Sequence, residues 1–230
     1  MAARAIGQEA AVRELYAAWR RADVDVDVDV DAGNPFRRLL GGDWPALPAA
    51  VRRRFARRIG AGACIAYVGE VVECRISPTG WLLAQAARLI GAPLPLARDT
   101  GVAASVSVTS DIAGGGQYWT RQYCRRQGFP QVIHSAKRFA GPTGLEEYLG
   151  LGIGIALRLR VAGEALLFES DHYFLALPGL RLRLPRWAQP GALTVGHVDL
   201  GGGRFAFTLD LVHPLAGRLI RQVAIFTDPA

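Results

Sequence analysis

Glu147 is a lone charge in an aliphatic register: every second residue reads Leu145, Glu147, Leu149, Leu151, Ile153, Ile155, Leu157, Leu159 and Val161. A carboxyl set in an apolar wall is desolvated, which raises its pKa and lets it donate a hydrogen bond or carry a proton at neutral pH. The plainer alternative is a carboxylate at the rim, or one paired with an arginine such as Arg121. His172 is the second candidate catalytic group. It lies in Asp171-His172-Tyr173, where strict alternation sends His172 with Phe168 and Phe174 and sends Asp171 with Glu169 and Tyr173. On a regular strand Asp171 and His172 therefore cannot pair. Aromatic and polar residues on neighbouring segments supply candidate substrate contacts: Trp119, Tyr123, His134, Tyr148, Leu149, Tyr173, Phe174 and Trp187. Flat aromatic walls with a few polar handles suit a large, mostly apolar small molecule. Aromatic stripes of this kind are also ordinary core.

Other chemistries lack their signatures. There is no nucleophile elbow, P-loop, HExxH or EF-hand pattern. His134, His172, His197 and His213 are separated by whole strands, and no local ligand set predicts a metal; no cofactor is expected. Cys64, Cys74 and Cys124 are odd in number and have no CxxC spacing, which points to reduced thiols and a cytoplasmic protein. The formal net charge is +7, but the arginines are scattered, so nucleic-acid binding is not expected. Lys137 is the single lysine of the chain, and the arginine bias reads as compositional. No run is long and apolar enough for a spanning helix, so membrane insertion is not expected either.

Strands must position these groups. The segments 63–76, 102–112, 118–125, 131–139, 145–161, 166–177, 180–184, 193–200, 205–213 and 217–226 alternate or are β-rich, and glycine-rich turns such as Gly114-Gly115-Gly116 and Gly201-Gly202-Gly203 join several of them. Short connections imply antiparallel pairing, and closure would remove the exposed edges of so many strands. The expected fold is mainly β (α+β): an antiparallel lipocalin-like β-barrel of about nine or ten strands, with N-terminal helices and one helix after the first strand, over 80–91. Residues 1–32 are expected to be an N-terminal helix, over 9–22, and a low-complexity Val-Asp linker; 33–230 form a single barrel domain.

The segments Arg38-Leu39-Leu40-Gly41 with Leu47-Pro48, Trp119-Thr120-Arg121, Gly144 to Gly150, Leu184-Pro185-Arg186-Trp187 and His213-Pro214-Leu215-Ala216-Gly217-Arg218-Leu219 resemble, in order, an uncharacterised actinobacterial family of domains of unknown function. Its members occur alone or fused to Rossmann-type epimerase or dehydrogenase domains. The resemblance implies no residue roles. It implies a natural-product context, in which small β-barrel proteins include cyclases.

The residues and the resemblance together point to a small-molecule-binding barrel enzyme, a cofactor-independent cyclase (pericyclase, of cycloaddition type) or isomerase that shapes a large apolar polyketide-like substrate. A non-catalytic carrier of a lipid or hydrophobic metabolite needs the same cavity. A filled accessory domain is the third reading, and the oligomeric state stays open between monomer and homodimer.

Overall fold

The computed structural model describes residues 33–229. The helix expected over 9–22 and the Val-Asp repeat lie outside them. Eleven antiparallel strands form one sheet: β1 (Cys64–Ile76), β2 (Val102–Asp111), β3 (Gly116–Tyr123), β4 (Gln131–Arg138), β5 (Glu146–Gly150), β6 (Ile153–Ala162), β7 (Ala165–Leu177), β8 (Leu180–Arg183), β9 (Ala192–Gly201), β10 (Arg204–His213) and β11 (Gly217–Thr227). The order runs β6-β5-β4-β3-β2-β1-β11-β10-β9-β7, and the pairing of β6 with β7 closes it into a ten-stranded barrel. β8 is the extra strand. β7 is long enough to serve three neighbours, because Ala165–Glu169 pair with β9 while Phe174–Leu177 pair with β8.

The barrel expected from the alternation is therefore present, with a correction at its centre. The stretch 145–161 is a hairpin rather than one long strand. Leu151 and Gly152 both have positive φ, 47° and 77°, as a two-residue type I′ turn requires. Leucine is a poor turn residue, so its apolar character hid the reversal. Apart from Leu151 in the turn itself, the odd-numbered residues still share one face, because the irregularity at Leu149 restores the phase across the turn.

The two barrel ends are finished differently. α1 (Pro35–Leu40) and α2 (Ala49–Ala56) close one end. Phe36 and Phe55 meet edge to face at 5.1 Å, and Phe55 stacks toward Trp119 inside the barrel. Arg54 ties this plug to the last strands through Asp228 at 2.7 Å and Asp199 at 2.9 Å. Only about 40 Å³ of open space remains there.

At the opposite end β1 leads into α3 (Pro78–Ala86), whose cap is Ser77, its Oγ accepting from Gly80 N at 3.0 Å. Pro78 occupies the first turn, where its missing N–H costs nothing. Gly80 lies directly on the Leu219 carbonyl with no room for a Cβ, which sets α3 close against β11. A 3₁₀ turn, Ala87–Ile90, ends at Gly91 in the left-handed conformation, φ 99°.

Candidate functional site

Inward-pointing residues of three adjacent strands converge on one buried ionic cluster. β3 contributes Trp119, Arg121 and Tyr123; β4 contributes Ile133, Ser135 and Lys137; β5 contributes Glu147. Glu147 Oε2 lies 2.7 Å from Lys137 Nζ, and Oε1 lies 3.0 Å from Arg121 Nη2. Arg121 Nη2 also donates to Ser135 Oγ at 2.5 Å. All three charged side chains are 6% exposed or less. The Lys137 ammonium sits 4.9 Å from the Trp119 ring centre and 5.4 Å from that of Phe168, close enough for both π faces to stabilise it.

The cluster decides the state of Glu147. Burial by itself would raise its pKa, but the ammonium of Lys137 and the guanidinium of Arg121 overcome burial and bring it from 4.5 down to about 2. The expectation of a protonated carboxylic acid is thereby corrected: Glu147 is an anion. Alternation placed the side chain correctly, and the partners that hold it ionised come from other strands. Burial pulls the Lys137 ammonium down from its ordinary value, with Arg121 adding to the effect and Glu147 opposing it.

Above this cluster the barrel opens into a cavity of about 540 Å³, within the roughly 300–1,000 Å³ typical of small-molecule sites. Arg121, Glu147 and Tyr173 form its polar floor. Leu149, Ile153, Ile155, Leu193 and Leu209 make aliphatic walls, and α3 with residues 184–190 borders the mouth. Burial raises the Tyr173 phenol well above its ordinary value, so it remains an O–H donor. Arg121 Nε is buried with no hydrogen-bond partner, an unmet donor on a side chain that borders open space. Two donors of different charge thus sit beside a carboxylate under an apolar chamber. An oxygen on an apolar molecule is what such a floor can bind and polarise.

The candidates named from sequence separate into four groups. Glu147, Leu149, Tyr173 and Trp187 border the large cavity, Trp187 at its mouth. Trp119 is inward but faces the plugged half, and Tyr123 is packed into the core. His134 stands on the exposed outer wall, where its Nδ1 is 3.3 Å from Thr120 Oγ1. Tyr148, Phe174 and His172 form a cluster on the outer face: Tyr148 donates to Glu146 at 2.8 Å, and Arg181 lies 3.6 Å over the Phe174 ring.

The reason for the last placement is a β-bulge in β7. Ala156 pairs with His172 and Leu157 with Ser170, leaving Asp171 as the extra residue. Phe168 before the bulge and Tyr173 after it both point inward. His172 and Asp171 consequently lie side by side, Nδ1 to Oδ2 2.6 Å, with Arg158 2.8 Å from the same carboxylate. Strict alternation forbade that pair, and one inserted residue makes it.

Sequence reasoning missed Arg121, named only as a partner for Glu147, and Lys137, noted only as a rarity. The available signal was that rarity: in a chain whose other cations are arginines, the lone lysine falls on the inward register with Ile133 and Ser135. Leu83 and Ile90 of the mouth fall within the helix expected over 80–91, and nothing local shows that they border a cavity.

Among the described residues no group of His, Cys, Asp or Glu is arranged to hold a metal ion, and no helix is long and apolar enough to cross a membrane. A comparison with curated proteins found no match. Residues 47–226, from the start of α2's approach through β11, match the model of the family described as Domain of unknown function (DUF4166), so the chain belongs to that family.

Proposed function

We propose that this barrel binds a large, mostly apolar small molecule with its oxygen-bearing end on Arg121 and Tyr173, and that the cavity acts as a reaction chamber for ring closure or isomerisation without a cofactor. The observation that carries the reading is the combination of an apolar cavity of about 540 Å³ with a fixed guanidinium at its floor. Glu147 and Ser135 hold Arg121 in place, so its donors need no reorganisation when a carbonyl gains negative charge. The walls supply the other part of catalysis, holding a flexible chain in a folded conformation with its reacting carbons close. Glu147 serves here as a positioning residue. As an anion clamped by two cations it gives no proton to the substrate.

That same property favours a second reading, a carrier of a hydrophobic metabolite, since a carrier needs the anchor and the walls but no proton donor. The two separate in one experiment. The purified protein is examined by native mass spectrometry before and after mild organic extraction, and the released compound is identified and returned to fresh protein. The enzyme reading expects the compound to be converted to a ring-closed or isomerised product, more slowly by Arg121→Met. Return of the compound unchanged supports the carrier. Absence of any compound, together with no uptake of apolar dyes, refutes both.

A further inference from the structure

The end of the barrel that holds the mouth differs in surface chemistry from the plugged end. Most of the large hydrophobic side chains exposed among the described residues lie there, in α3 and the 3₁₀ turn after it, the β3–β4 loop, the β5–β6 turn, the β7–β8 hairpin, residues 184–190 and the β10–β11 turn. Leu82, Leu89, Leu151, Trp187 and Leu215 are 63% to 93% exposed. Neither tight packing nor the cavity accounts for Leu82, Leu89, Leu151 and Leu215, which face outward. Contiguous apolar surface with a polar border marks an interaction site.

Charge on the same end has one sign. The connecting segments 77–101, 124–130, 178–191 and 214–217 carry Arg88, Arg98, Arg125, Arg126, Arg181, Arg183 and Arg186, of which Arg181 is paired with Glu146 of β5, and Asp99 is their sole carboxylate. Asp99 is occupied by the Arg126 backbone N–H at 3.1 Å. Among the described residues Arg88, Arg183 and Arg186 make no ion pair, and all three are exposed. The plugged end is basic as well, with Arg37, Arg38, Arg52, Arg53, Arg54, Arg57 and Arg58 in and beside its helices, but among the described residues it exposes fewer large apolar side chains, Leu39, Ile112 and Leu200, so broad apolar surface and positive charge coincide at the mouth end.

We propose that this end of the barrel docks peripherally on an anionic lipid surface, placing the cavity mouth against the membrane so that apolar ligands pass between bilayer and barrel without crossing water. Leucines and a tryptophan at the tips of turns enter the interfacial layer, and the arginines between them meet lipid phosphates. A second copy of the chain is the competing occupant of an apolar face. A symmetric contact would set this arginine rim against its own image, and like charges across an interface are repulsive. Charge complementarity therefore selects the lipid. Docking goes beyond ligand binding and is tested without the ligand.

The experiment is flotation of the full-length protein with vesicles of phosphatidylcholine, alone or mixed with phosphatidylglycerol. The protein should float with the anionic vesicles, remain behind with the neutral ones, and release as salt is raised. Arg183→Ser with Arg186→Ser should lower partitioning roughly twenty-five-fold, at about fivefold for each arginine. Leu89→Ser with Leu215→Ser should abolish it. Both pairs are on exposed side chains, and an unchanged melting temperature confirms folding. Failure to float with anionic vesicles, or flotation that neither double variant weakens, overturns the proposal. So does a concentration-dependent dimer in size-exclusion chromatography that Leu89→Ser with Leu215→Ser dissociates, because it would give the face to self-association.

Discussion

Replacing Glu147 by glutamine preserves its shape and removes its charge, leaving two buried cations with no anion. Two independent routes give the cost. Glu147 titrates near 2 in the folded protein against an ordinary 4.5, a difference equivalent to about 3 kcal/mol. Removal of one member of a buried ion cluster typically destabilises by about 3–5 kcal/mol. Lys137→Met should behave otherwise, although it breaks the shorter of the two ion pairs. Lys137 is buried and its ammonium is held at a disadvantage, and its loss leaves Arg121 and Glu147 as a balanced pair. The methionine fills the same space against Trp119 and Phe168, so the expected change is within about 1 kcal/mol. Urea unfolding at neutral pH measures both. The pH dependence has a definite sign: because the folded pKa of Glu147 is depressed, its contribution is complete above about 4.5 and is lost as pH falls toward about 2. Glu147→Gln should remove that part of the acid limb. Equal destabilisation by Lys137→Met and Glu147→Gln would refute the charge argument, since it would mean that Lys137 is as necessary to the cluster as the carboxylate.

Three further outcomes are expected. Arg121→Met should weaken binding of the extracted ligand roughly tenfold to a hundredfold by fluorescence titration, the usual worth of a hydrogen bond from a charged donor, whereas Arg54→Met at the plugged end should lower stability and leave affinity unchanged. Burial, reinforced by Arg54, brings His197 from 6.5 down to about 3; the unfolded chain takes up the proton first, so stability falls as pH drops from 6.5 toward 3, and His197→Phe, next to Phe205, should flatten that decline in a melting-temperature series. Gly80→Ala forces a Cβ into the Leu219 carbonyl and should displace α3 from β11, costing about 1–3 kcal/mol in denaturant melts and accelerating ligand release from the mouth in stopped-flow measurements.

Much of the barrel is legible in the chain because the physics that specifies it is local. A strand with one face on a core must alternate, so the inward register of Trp119, Ile133, Leu145 and Glu147 follows from residue type and spacing alone. Glycine turns and Ser77-Pro78 mark ends for equally local reasons. The errors also have local causes. Leu151 takes a turn conformation that its composition gives no hint of, because the neighbouring strand pairs hold it there. The bulge at Asp171 inserts one residue and reverses every later facing in β7, which moves His172 and Phe174 outside and Tyr173 inside.

By itself the sequence determined an antiparallel closed sheet, the side of each regular strand that lines it, and the register that puts Glu147 on the inward side with Leu145 and Leu149. Tertiary structure alone decided the chemistry of that interior. The ionisation of Glu147 depends on Arg121, 26 residues away, and on Lys137, which pairing across β3, β4 and β5 brings within 3.0 Å. Whether a barrel is filled or hollow depends likewise on what closes each end: α1 and α2 insert Phe36 and Phe55 at one, while α3 lies across the other and leaves the cavity open. Electrostatic energy falls with distance and desolvation depends on everything around a group, so both are sums over neighbours that only the folded chain assembles.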